Sequence, residues 1–288
     1  MGSNSLRAVF AVLIAACLFG TSASARAIAD IQIDSIAVAC VRLLIGSIGL
    51  LCLSYVFERS GQIFALFRNP MVWLMAIGVA GYQYFFFVGT DLAGIALGTL
   101  VSLALAPFFV GLFAWRWKGR KPERVWYMST ATAITGLACL SFYALDTSLP
   151  MTGLFAALIA SLSYATYTVI GSESSKSSPP IALLAVSFAI AALFLLPFSF
   201  HSFDFLTSPR GALLSMWLGV VATAIAYAFF AYGLPRIQAG VIATLNLAEP
   251  LVATILGVVI IGEQLGLLAI IGCVLIAVAL SQLALSHR

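Results

Sequence analysis

Pro107 and Pro250 each interrupt a long apolar run, and each is followed twelve residues later by a glycine, Gly119 and Gly262. A proline inside a helix removes one backbone donor and crowds the preceding turn, which leaves a carbonyl unbonded. In a bilayer that carbonyl must find its partner in protein or in cavity water. Two such positions at corresponding places in the chain therefore point to a central cavity or gate, with simple kinking for helix packing as the alternative. Glu249 directly precedes Pro250. A carboxylate at the centre of a membrane helix costs about 2.5–3.5 kcal/mol on insertion scales, so it faces the bundle interior or water. Three roles fit it: a protonated structural hydrogen-bond donor, a proton-coupling group, or a counter-charge for a cationic substrate. Asn246 lies one turn earlier on the same face and can bond either Glu249 or a substrate. Arg42 is the other charge inside an apolar run, about seven residues or roughly 10 Å from the end of its helix. It reads as a structural tie that snorkels or binds free carbonyls, with a pairing to Glu249 as the alternative.

These residues need a scaffold, and the composition names its solvent. Hydrophobic residues make up 62% of the 288 positions and charged residues only 8%, with a mean hydropathy of +1.11, outside the range of soluble domains. Crossing a hydrocarbon core of about 30 Å takes about 20 apolar residues. Ten stretches qualify, at 7–27, 35–57, 71–90, 93–116, 124–144, 151–171, 181–200, 211–233, 237–261 and 265–285. The connections are short and hold no soluble domain of useful size.

With ten spans the loops alternate between faces. The face of the N-terminus collects Arg7, Arg59, Arg68, Arg116, Lys118, Arg120, Lys121, Arg124, Lys176, Arg236 and Arg288, against Arg26 and Arg210 on the other. This bias predicts that both termini are cytoplasmic, and it accounts for the net charge of +4 without a nucleic-acid partner. Arg7, the run from Ala8 to Phe19 and Ala23-Ser24-Ala25 imitate a cleavable signal. A retained helix explains more, because Leu13-Ile14-Ala15-Ala16-Cys17-Leu18 is echoed by Leu158-Ile159-Ala160-Ser161-Leu162-Ser163 in the sixth span.

The echo extends along the chain. Ala106-Pro107-Phe108 through Gly119 aligns without a gap on Glu249-Pro250-Leu251 through Gly262, and Phe85-Phe86-Phe87-Val88-Gly89 on Phe229-Phe230-Ala231-Tyr232-Gly233. Two repeats of five spans follow, 1–145 and 146–288. An odd number of spans makes the second repeat enter the membrane from the opposite side, an inverted-topology pair of the kind secondary transporters use for alternating access. The expected fold is thus an all-α polytopic membrane protein of ten helices in two inverted five-helix repeats.

Several chemistries are absent from the sequence. There is no Gly-x-x-x-x-Gly-Lys-Ser/Thr loop for ATP. His201 and His287 fall in polar ends, which argues against an intramembrane serine protease, bis-histidine haem or a histidine metal site. Cys17, Cys40, Cys52, Cys139 and Cys273 are scattered and read as buried small residues, not as a metal site or disulfides. The expectation is a protein that is neither an enzyme nor dependent on a cofactor or metal.

Ten spans in two halves, Val41-Arg42-Leu43-Leu44 in the second, a mid-helix proline in the fourth and ninth, and Leu247-Ala248-Glu249-Pro250 leading to Gly262-Glu263 together resemble the EamA-type drug/metabolite transporter superfamily. Within it the chain is most similar to bacterial inner-membrane exporters of aromatic amino acids that also handle the dication paraquat. One departure is that Gly119-Arg120 stands in the first half where Gly262-Glu263 stands in the second. The resemblance implies a multi-pass inner-membrane protein whose first, third, fourth, sixth, eighth and ninth helices enclose a cavity. On those helices Tyr82, Gln83, Phe86, Tyr164, Tyr167 and Tyr227 join Asn246 and Glu249 as candidate substrate contacts. Their rings can stack on a planar side chain and attract an ammonium, and their polar groups can serve a carboxylate. Any one of them alone is explained as packing or as an interfacial belt; the cluster is what points to a site. Tyr82 and Phe86 share a helix face, with Gln83 offset by about a hundred degrees. Ser22, Ser24, Thr99 and Ser102 are further candidates for the same path. Gly94-x-x-x-Gly98 and Gly262-x-x-x-Gly266 are expected at close helix contacts, either internal or between two copies in a homodimer.

The implied function is a secondary transporter that exports small amphipathic metabolites, foremost aromatic amino acids, with gating at Pro107 and Pro250. The alternative is a broad exporter of aromatic cations, with proton coupling and Glu249 as the attractor. A non-transporting receptor or scaffold would leave the buried charge and paired prolines as costs without a use.

Overall fold

The computed structural model describes residues 2–58, 63–119, 121–142, 151–262 and 264–286. Arg59, Arg120, Glu263, His287, Arg288 and the 145/146 repeat boundary lie outside the described residues. Ten long helices run in chain order: α1 Gly2–Ala29, α2 Ser35–Phe57, α3 Pro70–Ala93, α4 Ile95–Lys118, α5 Arg124–Phe142, α6 Met151–Ser174, α7 Pro180–Ser199, α8 Pro209–Gly233, α9 Ala239–Ile261 and α10 Leu267–Leu285. A short helix, Ile63–Phe67, and a 3₁₀ turn, Asp204–Thr207, complete the described elements, with no strand among them. Nine of the ten are long and apolar enough to cross a membrane; α5 has 19 residues and ends where the undescribed stretch 143–150 begins. The bounds follow the ten apolar stretches to within a turn or so.

Local signals set the helix ends. The Asp34 carboxylate accepts from the Ala37 N–H at 2.8 Å and the Asn69 carbonyl from the Met71 N–H at 2.9 Å, satisfying donors that a helix start leaves free. Pro70, Pro180 and Pro209 open their helices, where no N–H is needed. Gly94 and Gly262 take φ of +80° and +81° with open space around them, so they are chain-reversing caps. Of the expected Gly-x-x-x-Gly contacts, Gly98 packs closely, against the backbone of Gly89 and Thr90. The reading of Gly262 as a packing residue is corrected: its left-handed backbone ends α9 instead.

In lipid there is little hydrophobic drive between helices, and close backbone approach supplies the cohesion. α3 packs on α6 and α7, α4 on α6, α1 on α8 and α9, and α2 on α7 and α8, while α4–α9 and α5–α10 form further pairs. A Cβ on Gly20 of α1 would sit 2.7 Å from the Glu249 carbonyl, and one on Gly78 of α3 would sit 3.0 Å from the Tyr167 Cβ of α6.

The two proline helices differ. α4 is continuous through Pro107, whereas α9 breaks at Asn246–Leu247, just ahead of Pro250. The expectation of a helix break at Pro107 is therefore corrected; a single lost bond bends a helix without ending it when packing holds both sides, and Pro107 is buried. The break in α9 is set before its proline, by 3₁₀-type bonds from Leu247 N to Thr244 O at 3.1 Å and from Glu249 N to Asn246 O at 3.0 Å. α8 carries a π-helical stretch, Trp217–Ile225, and α9 ends in another, Gly257–Ile261.

Candidate functional site

The broken turn of α9 presents Asn246 and Glu249 at the middle of the bundle. Asn246 Nδ2 donates to the Tyr164 hydroxyl of α6 at 2.7 Å, while Asn246 Oδ1 is buried with no partner. Such an orphan acceptor is rare, and it marks a place where something else is meant to bond. Glu249 makes no side-chain hydrogen bond or ion pair with any described residue, yet it keeps accessible surface deep in the bundle.

Two aromatic groups flank this turn. On α3 and α6, the Tyr82 ring lies 5.7 Å from Phe86, 5.4 Å from Tyr164 and 6.1 Å from Tyr167, with Tyr164 and Tyr167 5.0 Å apart. These spacings and tilts suit edge-to-face packing. Tyr164 and Tyr167 are buried, while Tyr82 and Phe86 retain accessible surface. Gln83, between them in sequence, is buried. On the other side Tyr227 of α8 lies 4.8 Å from Phe19 of α1, 4.5 Å from Phe188 of α7 and 5.4 Å from Phe230. Tyr167 and Tyr227 are within electrostatic reach of one another, and Glu249 of Tyr82, Tyr164 and Tyr227. The expected aromatic contacts, Asn246 and Glu249 thus form one neighbourhood, with Gln83 buried next to Tyr82 in the chain.

Arg42 sits on α2 and donates from Nε to the Thr223 hydroxyl of α8 at 3.3 Å. It influences Glu249 through its charge but comes no closer than an ion pair requires, 4.0 Å. The Thr223 hydroxyl in turn donates to Leu218 O at 2.7 Å, five residues back, inside the π stretch. The wider π turn lets Gly46 of α2 face Thr223 and Gly219 of α8 face Ile45. Ser22 and Ser24 hydroxyls are buried without partners, and Ser102 donates across to Ala157 O of α6 at 3.3 Å.

Sequence reasoning did not single out Phe19, Phe188, Phe230, Thr223 or Trp126. Trp126 of α5 is buried, with a Cβ on Gly111 of α4 or on Gly240 of α9 falling 2.5 or 3.1 Å from its ring. Nearby, the Thr130 and Thr244 hydroxyls share a hydrogen bond at 2.8 Å and Ser172 donates to Leu234 O at 3.0 Å. On the half of the bundle where α1 begins, residues 239–245 of α9 and 167–172 of α6 are buried. Past Glu249, residues 249–256 all keep accessible surface, as do 84–88 of α3. The α6 and α9 segments are thus more tightly packed towards the N-terminal face than beyond the tyrosines. Cavities open on the half where α1 begins: one of about 470 Å³ is lined by Trp126, Val169, Ser172, Ala239 and Gly240, and one of about 860 Å³ lies beside α1, α2 and α8 and contains none of the expected contact residues.

Residues 151–284 match the EamA-like transporter family. An uncharacterized transporter of Bacillus subtilis, YwfM, is 34% identical over 281 residues, covering 96% of this chain and 93% of its own. The chain belongs to the EamA-like transporter family. It is a multi-pass transporter of the inner membrane. The threonine/homoserine exporter RhtA of Salmonella typhimurium is 28% identical over 217 residues, 74% of this chain and 70% of its own. A solved crystal structure shares the fold with a TM-score of 0.84 at 20% identity, covering 98% of this chain and 97% of that one. In this EamA-family chain the accessible tyrosine, phenylalanine, asparagine and glutamate groups meet at the broken turn of α9, where the ladder of backbone bonds is already open.

Proposed function

We propose that this transporter exports amino acids by alternating access through a midplane site at the α9 break, with both termini cytoplasmic and no enzymatic activity. Two five-helix repeats, 1–145 and 146–288, exchange conformations. The packing supports that reading: shifting every helix number by five turns α3–α6 into α8–α1, α4–α6 into α9–α1 and α3–α7 into α8–α2, and each of these pairs is in contact. The observation that carries the function is the unpartnered Asn246 Oδ1 beside an unpartnered Glu249 carboxylate, deep in the membrane and walled by rings. A zwitterion supplies what both lack. Its ammonium donates to Asn246 Oδ1 and sits over Tyr82 or Tyr227, and its carboxylate accepts from tyrosine hydroxyls.

An aromatic side chain would pack against Phe86 and Tyr82, rings that keep accessible surface, which favours aromatic amino acids. A second reading, small hydroxylated amino acids, draws on the resemblance to a threonine/homoserine exporter and on the hydroxyl-rich neighbourhood. Cationic aromatics such as paraquat remain the reading in which Glu249 is the attractor. Liposomes holding the purified chain, loaded with tryptophan, phenylalanine, threonine, homoserine, lysine or an aromatic dication, with and without a pH gradient, separate the three. Selective aromatic flux indifferent to the gradient supports facilitated aromatic export. Preference for threonine or the dication replaces the substrate, gradient-driven accumulation gives Glu249 the coupling role, and no flux for any overturns amino-acid export.

A further inference from the structure

The cavity of about 860 Å³ beside α1, α2 and α8 is unlike the midplane site: its lining includes Arg7, near the start of α1, and Arg236, in the α8–α9 connection. Its deeper wall is apolar, formed by Ala11, Ile14, Ile225, Ala228 and Phe229, while Arg7 and Arg236 stand at its polar end. Both arginines are exposed and neither forms an ion pair with a described residue. Arg236 is held in place, its Nη1 donating to Tyr232 O at 2.8 Å and its guanidinium lying 3.9 Å over the Tyr232 ring. The acid in the same cavity is already engaged: the two Glu58 oxygens accept from the N–H groups of Ile181 and Ala182 at 2.8 and 2.9 Å, capping α7. Two cations, neither ion-paired with a described residue, therefore outnumber the one carboxylate at the end of an apolar groove. A basic pocket between membrane helices is what an anionic lipid headgroup recognises, and a fork of guanidinium N–H groups suits a phosphodiester.

We propose that this groove is a binding site for one anionic phospholipid, its phosphate between Arg7 and Arg236 and an acyl chain along Ile14, Ala228 and Phe229. A neutral lipid would leave the arginines unused, and a free phosphate would leave the apolar wall unused. The bound lipid would join the start of α1 to the α8–α9 connection.

Native mass spectrometry of the full chain in detergent, titrated with phosphatidylglycerol, phosphatidylcholine or inorganic phosphate, tests this. Each arginine near an anionic headgroup is worth roughly fivefold, so two favour phosphatidylglycerol over phosphatidylcholine by about thirtyfold. In Arg7→Gln/Arg236→Gln that preference is expected to fall to about twofold or less, with the protein still monodisperse because both side chains are exposed. Ala228→Trp, which fills the groove and leaves the arginines, is expected to weaken phosphatidylglycerol binding without abolishing the response to charge. Three results overturn the site: equal binding of the two lipids, a preference that survives the double variant, or inorganic phosphate that displaces the lipid.

Discussion

Removing the Tyr164 hydroxyl tests the tie between α6 and the broken turn of α9. In Tyr164→Phe the ring stays in its edge contacts with Tyr82 and Tyr167, at 5.4 and 5.0 Å, so packing is preserved and only the bond to Asn246 Nδ2 is lost. Hydrogen bonds between membrane helices average about 0.6 kcal/mol with a ceiling near 1.7. Here the loss belongs near the ceiling, because Asn246 Oδ1 already lacks a partner and Tyr164→Phe strands the amide's other end as well. The expected destabilisation is about 1.5 kcal/mol, roughly tenfold in the folded-to-unfolded ratio. Asn246→Leu removes both stranded groups and should cost less than Tyr164→Phe, and the double variant should cost less than the sum of the singles by about 0.6 kcal/mol or more. Reversible unfolding in mixed micelles of dodecyl sulfate and a mild detergent reads all three. Additivity to within about 0.3 kcal/mol would refute the tie.

Other expectations follow from single contacts. Glu249→Ala should abolish flux of an aromatic dication while leaving tryptophan flux within about threefold, measured in the same liposomes; equal losses would remove the charge-discriminating role. Thr223→Val keeps the packing against Gly46 but takes the acceptor from Arg42 Nε; a loss of about 1.5 kcal/mol in the unfolding assay is expected, and no loss would mean that Arg42 is held otherwise. Gly240→Val would press on the Trp126 ring, 3.1 Å from where its Cβ must sit. It should cost about 1–3 kcal/mol and raise labelling of a cysteine placed at Ala243, and unchanged labelling would mean that this contact does not limit access.

How much was legible in the sequence divides by scale. The ten apolar runs define the helices, because length and hydropathy alone decide what can cross lipid. The Glu249-Asn246 face was legible because an acid in an apolar run is costly and so must be turned inward. Phe19, Phe188 and Phe230 were not, since a phenylalanine in a membrane helix looks alike whether it faces lipid, a neighbour or a site; only the partner rings around Tyr227 separate them. Gln83 was singled out by its polarity alone, and it is buried on α3, as Tyr164 and Tyr167 are on α6. The π stretch of α8 has no composition signal of its own. Its marks are Gly219 and Thr223, whose meaning depends on Ile45, Gly46 and Arg42 approaching from α2.

The unequal prolines bear on how the proposed exchange can work. If the repeats swap conformations, α4 must take the shape that α9 has here, broken ahead of its proline, while α9 straightens. A break costs the backbone bonds it opens, and in lipid each needs a new partner. At Pro107 one of those bonds is already missing, because proline has no N–H to offer the carbonyl of Leu103. α4 is thus continuous but weakened at the point where it must open. Pro107→Ala would restore the donor and favour the continuous helix by up to about 3 kcal/mol. The variant is expected to bind substrate normally and unfold later, yet turn over at least about tenfold more slowly, because the continuous form of α4 is deepened and not the broken one. Efflux rates and substrate binding in the same preparation distinguish this from a packing role. Normal turnover with raised stability would mean that α4 never breaks, and that the two repeats do not exchange shapes at their prolines.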